Sequence, residues 1–387
     1  MSTSSDDERR EEKSVLENTP LHSPEVKFQK RDISHYRGCL LGGAIGDALG
    51  AGSVHQSWTQ IKQAYGERGI QDYVESKDGI GRFTNKTQLL LFTAEGMLRS
   101  IHRASIKGIW GAYTTIVWQS YLRWLFTQGI DVSTDSSIIS RESITSGWLM
   151  EARGLYRKRG GSNTLINSLK YGISGTMSRP VNNSKGSGGL VRVAPIGLLF
   201  YKDPEKAFRY GCELAAFTHG HPSGYLPAGY LAALLAFLNR GHTLNQTIEL
   251  TNPILLQYPN HEETLTAIKK ALKLVYAADP SPEAVEKLGN GRTGEEALAM
   301  AIYCAFRFRD ADFEKGLWLA VNHSGDTDTV GAVTGSILGL LFGEKSIPTK
   351  WRVNLDQYHI VSQVAEDLHI EVPKNRGSDW WEKYPGF

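Results

Sequence analysis

The sequence predicts an all-α fold, a single compact domain of many helices. Three observations point there. Apolar residues recur at spacings of three and four along most of the chain, the period of an amphipathic helix. Several of these runs open with Thr, Asp, Ser or a Pro-Glu pair, as helix starts do. No convincing set of alternating β segments interrupts them. The 40 glycines are not confined to linkers; they fall inside apolar helical runs, which suggests that helices pack closely.

The elements follow in order. Residues 1–30 are polar, charged and almost free of large apolar groups, so they bury too little to offset the entropy of ordering. They are expected to be a disordered tail, or a tail that docks on a partner or on the body. The domain is placed at residues 31–387 and begins abruptly at "YRGCLLGGAIGDALGAGSV". Helix candidates then run "TQLLLFTAEGMLRS", "IWGAYTTIVWQSYLRWLFTQ", "PEKAFRYGCELAAFT", "GYLPAGYLAALLAFLNRG", "TLTAIKKALKLVYAA", "GEEALAMAIYCAFRF", "DFEKGLWLAVNH" and "DTVGAVTGSILGLLFG". The last segment, "RGSDWWEKYPGF", carries Trp380, Trp381, Tyr384 and Phe387. It reads as an aromatic tail packed on the body, with an exposed docking strip as the alternative. No repeat of fixed period is evident.

Composition excludes several function classes. The 43 basic and 41 acidic residues nearly cancel, which argues against a nucleic-acid protein held by a strong basic field. No run of about 18 uncharged apolar residues is present, so no membrane-spanning helix is expected. The N-terminus lacks a basic region followed by an apolar one, so it is not a Sec-type signal; a secretion signal of another kind would leave no such mark. Cys39, Cys212 and Cys304 lie far apart in apolar runs and read as buried thiols. That fits the cytoplasm or another reducing compartment.

Four segments could carry chemistry. In "NHSGDTDTVGAVTG", Asp326, Asp328 and Thr329 can turn towards one point and offer oxygens to a hard cation such as Mg²⁺; capping of the following helix is the alternative. In "KGSGGLVRVAPIGLLF", Gly186, Ser187, Gly188 and Gly189 make either a plain turn or a loop whose N–H groups cradle an anion, with Arg192 close behind. It is neither a P-loop nor G-x-G-x-x-G. In "FTHGHPSGY", His219 and His221 are poorly spaced for zinc and suit a pocket wall or a structural role equally. In "GRFTNKTQ", Thr84, Asn85, Lys86 and Thr87 stand at the mouth of a helix, to cap it or to bind.

In this order the segments resemble the ADP-ribosylglycohydrolase family, from about Tyr36 to Trp351. "GCLLGGAIGDALGAGSV" is similar to that family's first helix, "FTNKTQLLLFTAEGML" to its Thr-Asp-Asp-Thr segment, and "KGSGGLVRVAPIGL" to its Met-Arg-x-Ala-Pro segment, with Val191 for Met. "THGHP" and "LGNGRTGEEALAMAIY" match too, and "NHSGDTDTVGAVTGSILGLLFG" is very close to its C-terminal metal motif. The resemblance implies an all-α fold with an ADP-ribose cleft, and two Mg²⁺ ions beside the ribose whose C1″ bond is cleaved. Carried over by position, Thr84, Asp326, Asp328 and Thr329 are metal ligands. Ser187, Gly188 and Gly189 form the phosphate turn, His219 is a pocket histidine, and Thr84 and Asn85 also touch ligand.

The departures fall on the metal site. Asn85 and Lys86 stand where two aspartates belong, Val54 where a glutamate follows the first helix, and Arg292 where a tryptophan is common. A lysine ammonium would repel Mg²⁺ in a partly desolvated cleft and pair with Asp326 or Asp328 instead. The expectation is one weakly held Mg²⁺ at most, or none. Lys86, Asp326 and Asp328 are then the candidate catalytic residues, with Lys86 a cationic stabiliser rather than a nucleophile, because two carboxylates keep its pKa high. Three functions stay open: altered action on an N- or O-glycosidic ADP-ribosyl linkage, silent binding of ADP-ribose or an ADP-ribosylated protein, and a scaffold. Neither nucleic acid nor membrane is expected as a partner.

Overall fold

The computed structural model describes residues 29–386, other than 75–77, 109, 133–139, 171, 173, 278, 311 and 374–377. The expected N-terminal tail and Phe387 lie almost wholly outside these residues. The fold is all-α. Among the described residues no β-strand forms, only isolated bridges at Gly81–Leu355 and Gly186–Thr293. The longer helices are α1 (Ile33–Gly50), α2 (Asn85–Lys107), α3 (Tyr113–Thr127), α4 (Pro204–Ala216), α5 (Pro222–Asn239), α6 (Leu244–Leu255), α7 (Glu262–Ala277), α8 (Gly294–Arg307), α9 (Phe313–Val321), α10 (Thr327–Phe342) and α11 (Tyr358–Ile370). No helix among the described residues is long and apolar enough to cross a membrane. All three cysteines are buried and free.

At the centre α1 lies against α10, and glycines set the distance between them. A Cβ added to Gly38 would come within 2.2 Å of Gly339 O, one on Gly42 within 2.3 Å of Gly335 O, and one on Gly46 within 2.0 Å of Gly331 O. At the far end, a Cβ on Gly50 would lie 2.5 Å from Asp328 Cα. The spacing of four puts these glycines on one face of each helix, so the two backbones touch along their length. The join is closed at the Gly50 end by hydrogen bonds: Thr327 Oγ1 donates to Gly50 O (2.8 Å) and Ser53 Oγ to Thr327 Oγ1 (3.0 Å). Gly46→Ala is expected to force the helices apart, because its nearest atoms are backbone. A loss of about 2 kcal/mol or more, read as a lowered urea midpoint, checks this; an unchanged midpoint would contradict it.

Helix α2 carries the Thr84–Thr87 segment on its N-terminus and a buried charge cluster in its middle. Glu95 accepts from Arg99 Nη2 (2.7 Å) and Arg123 Nε (3.1 Å), and all three side chains are at most 1% exposed. Arg99 also donates to Ser146 O and Pro385 O, so it ties α2 to the C-terminal segment. That segment packs back on α2 and α11: Tyr384 is fully buried and donates to Asp367 Oδ2 (2.6 Å), and Trp381 stands edge-on to His102.

Candidate active site

Two helix N-termini, of α2 and α10, meet the last turn of α1. Their partial positive charge favours carboxylates, and three are gathered there. Asp47 of α1 is fully buried. It accepts from the backbone N–H and hydroxyl of Thr84 (3.0 and 2.7 Å) and from the N–H and hydroxyl of Thr87 (3.1 and 2.6 Å). In effect α1 lends α2 a second cap, beside Thr84, whose Oγ1 accepts from Lys86 N.

Asp326 precedes the first turn of α10. Its carboxylate caps nothing in that helix and accepts instead from Ser187 Oγ (3.0 Å) and Thr329 Oγ1 (2.7 Å). Asp328 lies in the first turn, with Oδ1 accepting from Thr329 N. Lys86 reaches across from α2: its Nζ is 2.5 Å from Asp328 Oδ2 and 4.0 Å from Asp326 Oδ1. The Lys86 side chain keeps 16% exposure, Asp326 12% and Asp328 4%, so solvent reaches Lys86 and Asp326 and barely touches Asp328.

The electrostatics follow from this packing. Burial opposes charge on Lys86, but Asp328, Asp326 and Asp47 outweigh it and hold the ammonium protonated above the usual lysine range. An amine so held is a poor nucleophile. Burial pushes Asp328 up to about 7, with Lys86 pulling the other way and Asp326 and Asp47 reinforcing the rise. Asp326 is also buried, yet Lys86 and its hydrogen bonds keep it below the ordinary range.

The glycine-rich turn is woven into the same frame. Ser187 N donates to Arg292 O (3.1 Å), Gly294 N to Lys185 O (2.8 Å), and Asp326 N to Asn290 O (2.8 Å). His219 is 2% exposed and lies under Gly186 and Gly188, while His221 caps α5 by accepting from Ser223 N. Beside the Phe217–His219 turn opens a cavity of about 560 Å³ lined by Trp118, Thr176, Met177, Glu213 and Phe217, among others.

The structure thus gathers Thr84, Lys86, Ser187, Asp326, Asp328 and Thr329 at one point, with Gly188, Gly189 and His219 alongside. Asn85 stands at the rim, its N–H given to Arg159 O, and its side chain takes no part in the cluster's hydrogen bonding. Val54 is half-buried and the Arg292 side chain is exposed. Sequence reasoning counted two carboxylates against one lysine and missed Asp47; the cluster has three. The signal was present, because Asp47 is the only acidic residue in an otherwise uncharged apolar stretch, Gly38–Val54, where a carboxylate needs partners.

A family model described as ADP-ribosylglycohydrolase matches residues 29–377. The chain belongs to the ADP-ribosylglycohydrolase family. Within it, the chain is similar to an uncharacterised protein of Archaeoglobus fulgidus, 27% identical, covering 88% of this chain and 98% of that one. It is 24% identical to human ADP-ribosylhydrolase ARH3, over 88% of this chain and 94% of the relative. It is also 24% identical to the ADP-ribosylarginine hydrolase Tri1 of Serratia proteamaculans, over 92% and 84%. A solved structure of an ADP-ribosylglycohydrolase-related protein complex aligns with a TM-score of 0.60 at 23% identity, covering 88% of this chain and 98% of that one. This last likeness establishes the fold. In this family member Lys86, Asp326 and Asp328 fall in the segments that resemble the family's metal motifs, and Asp47 joins them from α1.

Proposed function

We propose that this ADP-ribosylglycohydrolase-family protein binds an ADP-ribosyl group, free or on a modified protein, and holds it without the two-Mg²⁺ hydrolysis its resemblance implies. One observation carries the reading: Lys86 Nζ stands between the two aspartates, 2.5 Å from Asp328 and 4.0 Å from Asp326. Mg²⁺ takes oxygen ligands at about 2.0–2.1 Å in near-octahedral array, usually several waters with one or two carboxylates. A cation joining Asp326 to Asp328 would have to displace this ammonium, and Asn85 and Val54 add no carboxylate. The residues present therefore do not fit a pair of Mg²⁺ ions.

The binding parts remain. Ser187–Gly189 offers a turn with half-buried Gly186 and Gly188, set against the His219 ring and beside Asp326. Isothermal titration is expected to give binding of ADP-ribose that is unchanged by added Mg²⁺. Mass spectrometry is expected to give no turnover of ADP-ribosyl-arginine or ADP-ribosyl-serine that depends on Mg²⁺. Two tightly bound Mg²⁺, or Mg²⁺-dependent cleavage, would overturn the reading.

A second reading, altered chemistry on an ADP-ribosyl linkage, is favoured by the carboxyl of Asp328. Pushed up to about 7, it could give or take a proton at neutral pH, with Lys86 as a fixed cation. Slow turnover in the presence of a metal chelator, lost in Asp328→Asn, would select it.

A further inference from the structure

Three side chains connect the buried interior to the glycine-rich turn. Arg192 is fully buried, with its guanidinium 4.6 Å over the Tyr121 ring. Its Nη2 donates to Leu214 O and to Thr218 Oγ1, both at 2.8 Å. Thr218, also fully buried, sets the same oxygen 2.8 Å from His219 Nδ1.

The proton count fixes the direction of the first bond and argues for that of the second. A guanidinium has donors only, so Thr218 Oγ1 accepts from Arg192. A hydroxyl has one proton to give, and among the described residues His219 Nδ1 is the one partner left to take it; were Nδ1 to donate instead, the proton of the fully buried Thr218 hydroxyl would have no acceptor there. That nitrogen therefore carries no proton, and in a neutral ring the proton sits on Nε2. The Nε2 edge faces the turn: a Cβ built on Gly186 would lie 3.2 Å from Nε2, and one on Gly188 3.1 Å. Glycine at both positions leaves that edge uncovered. Among the described residues Nε2 makes no hydrogen bond, although its ring is held firmly from the other side.

We propose that Arg192 and Thr218 are positioning residues that hold His219 as the neutral Nε2–H tautomer, a fixed hydrogen-bond donor beside Gly186–Gly188 for an acceptor oxygen of the ligand. The ligand part rests on the functional reading above, and a phosphoryl oxygen of ADP-ribose is the acceptor it supplies; the tautomer does not depend on that reading. A charged imidazole would meet a phosphate as a cation. Here burial, with Arg192 adding to it, holds the ring down to about 3, so His219 offers a neutral N–H and leaves positive charge to its neighbours. The distinction matters for selectivity, because a neutral donor also accepts hydroxyl and carbonyl oxygens, whereas a cation favours anions.

Nitrogen NMR of the full chain with ¹⁵N-labelled histidine reads the tautomer directly, with His219→Gln identifying the signal. The expected wild-type spectrum at pH 7 has a protonated Nε2 and an unprotonated Nδ1. Thr218→Ser should keep that pattern and an affinity for ADP-ribose within about twofold of wild type. Thr218→Val should lose the pattern and weaken ADP-ribose binding about tenfold, the cost of one misdirected hydrogen bond. A protonated Nδ1, or a charged ring, in the wild-type spectrum overturns the proposal even if Thr218→Val fails to fold. So does a Thr218→Val protein that folds and keeps the wild-type pattern. Should wild type give the Nε2–H pattern yet fail to bind ADP-ribose, the relay is supported and the functional reading above is overturned.

Discussion

Replacing Asn85 and Lys86 together by aspartate is expected to produce a protein that needs Mg²⁺ to be stable. In wild type three carboxylates face one ammonium; in Asn85→Asp/Lys86→Asp a fourth carboxylate takes the place of that ammonium, with a fifth at the rim and no cation among them. Removing Lys86 breaks a largely buried pair whose partner, Asp328, is 4% exposed, a loss of about 3–5 kcal/mol, and the two added charges deepen it. Mg²⁺ binding to the folded state would return stability by mass action, about 2.7 kcal/mol at a hundredfold excess over its dissociation constant. Thermal melts with and without Mg²⁺ measure this, and wild type is expected to show no comparable shift. Mg²⁺-dependent release of ADP-ribose by the double variant, at least about a hundredfold above wild type, would be the functional counterpart. A double variant indifferent to Mg²⁺, beside a wild type that cleaves with it, would remove Lys86 from its assigned role.

Glu95→Gln is expected to have the largest effect on stability away from the site. The substitution leaves the guanidinium groups of Arg99 and Arg123, each 1% exposed, with no opposing charge. Breaking a buried pair in this way costs about 3–5 kcal/mol. Arg99→Met alone should cost less, because Arg123 would still neutralise Glu95 one to one. The same cluster sets a pH dependence. Burial alone would raise the Glu95 carboxyl, but Arg123 and Arg99 outweigh it and hold it below the ordinary range. A depressed carboxylate adds stability above its unfolded pKa of about 4.3 and loses it as pH falls through the folded value. Urea midpoints below about pH 4 should therefore fall more steeply in wild type than in Glu95→Gln, where this contribution is already absent. Parallel pH profiles for the two proteins would contradict it.

Much of the fold was legible because long helices here have both an apolar period and a marked start. Asp203, before Pro204, opens α4 and Asp312 opens α9, their carboxylates accepting from Lys206 N and Lys315 N. Two of the longer helices, α6 and α11, escaped. In α6 a proline, Pro253, stands inside the helix and reads as a breaker. In α11 the residue before the helix, Gln357, is left-handed and gives no side-chain cap, so the start carries no mark. At the site, Thr84–Lys86, Ser187–Gly189 and Asp326–Thr329 stood out because each is a local polar or glycine cluster at a helix mouth. Asp47 did not, since its partners, Thr84 and Thr87, come from 37 and 40 residues away. The link from Arg192 to Thr218 is hidden for the same reason: it crosses 26 residues of sequence, and no spacing rule joins an arginine to a threonine at that distance.

The glycine contact between α1 and α10 has a consequence for how the family's chemistry can vary. Asp47 sits between Gly46 and Gly50, and Asp328 lies directly against Gly50, so the groups at the site are mounted on two backbones whose register is set by touching main chains. Nothing in that contact depends on which side chains project from it or from the tip of α2. A position such as 85 or 86 can exchange an acid for an amide or an amine while the mounting stays where it was. The frame behaves as a chassis with interchangeable fittings, and a lineage can retire a reaction, or trade it for recognition, without first having to discover a new fold.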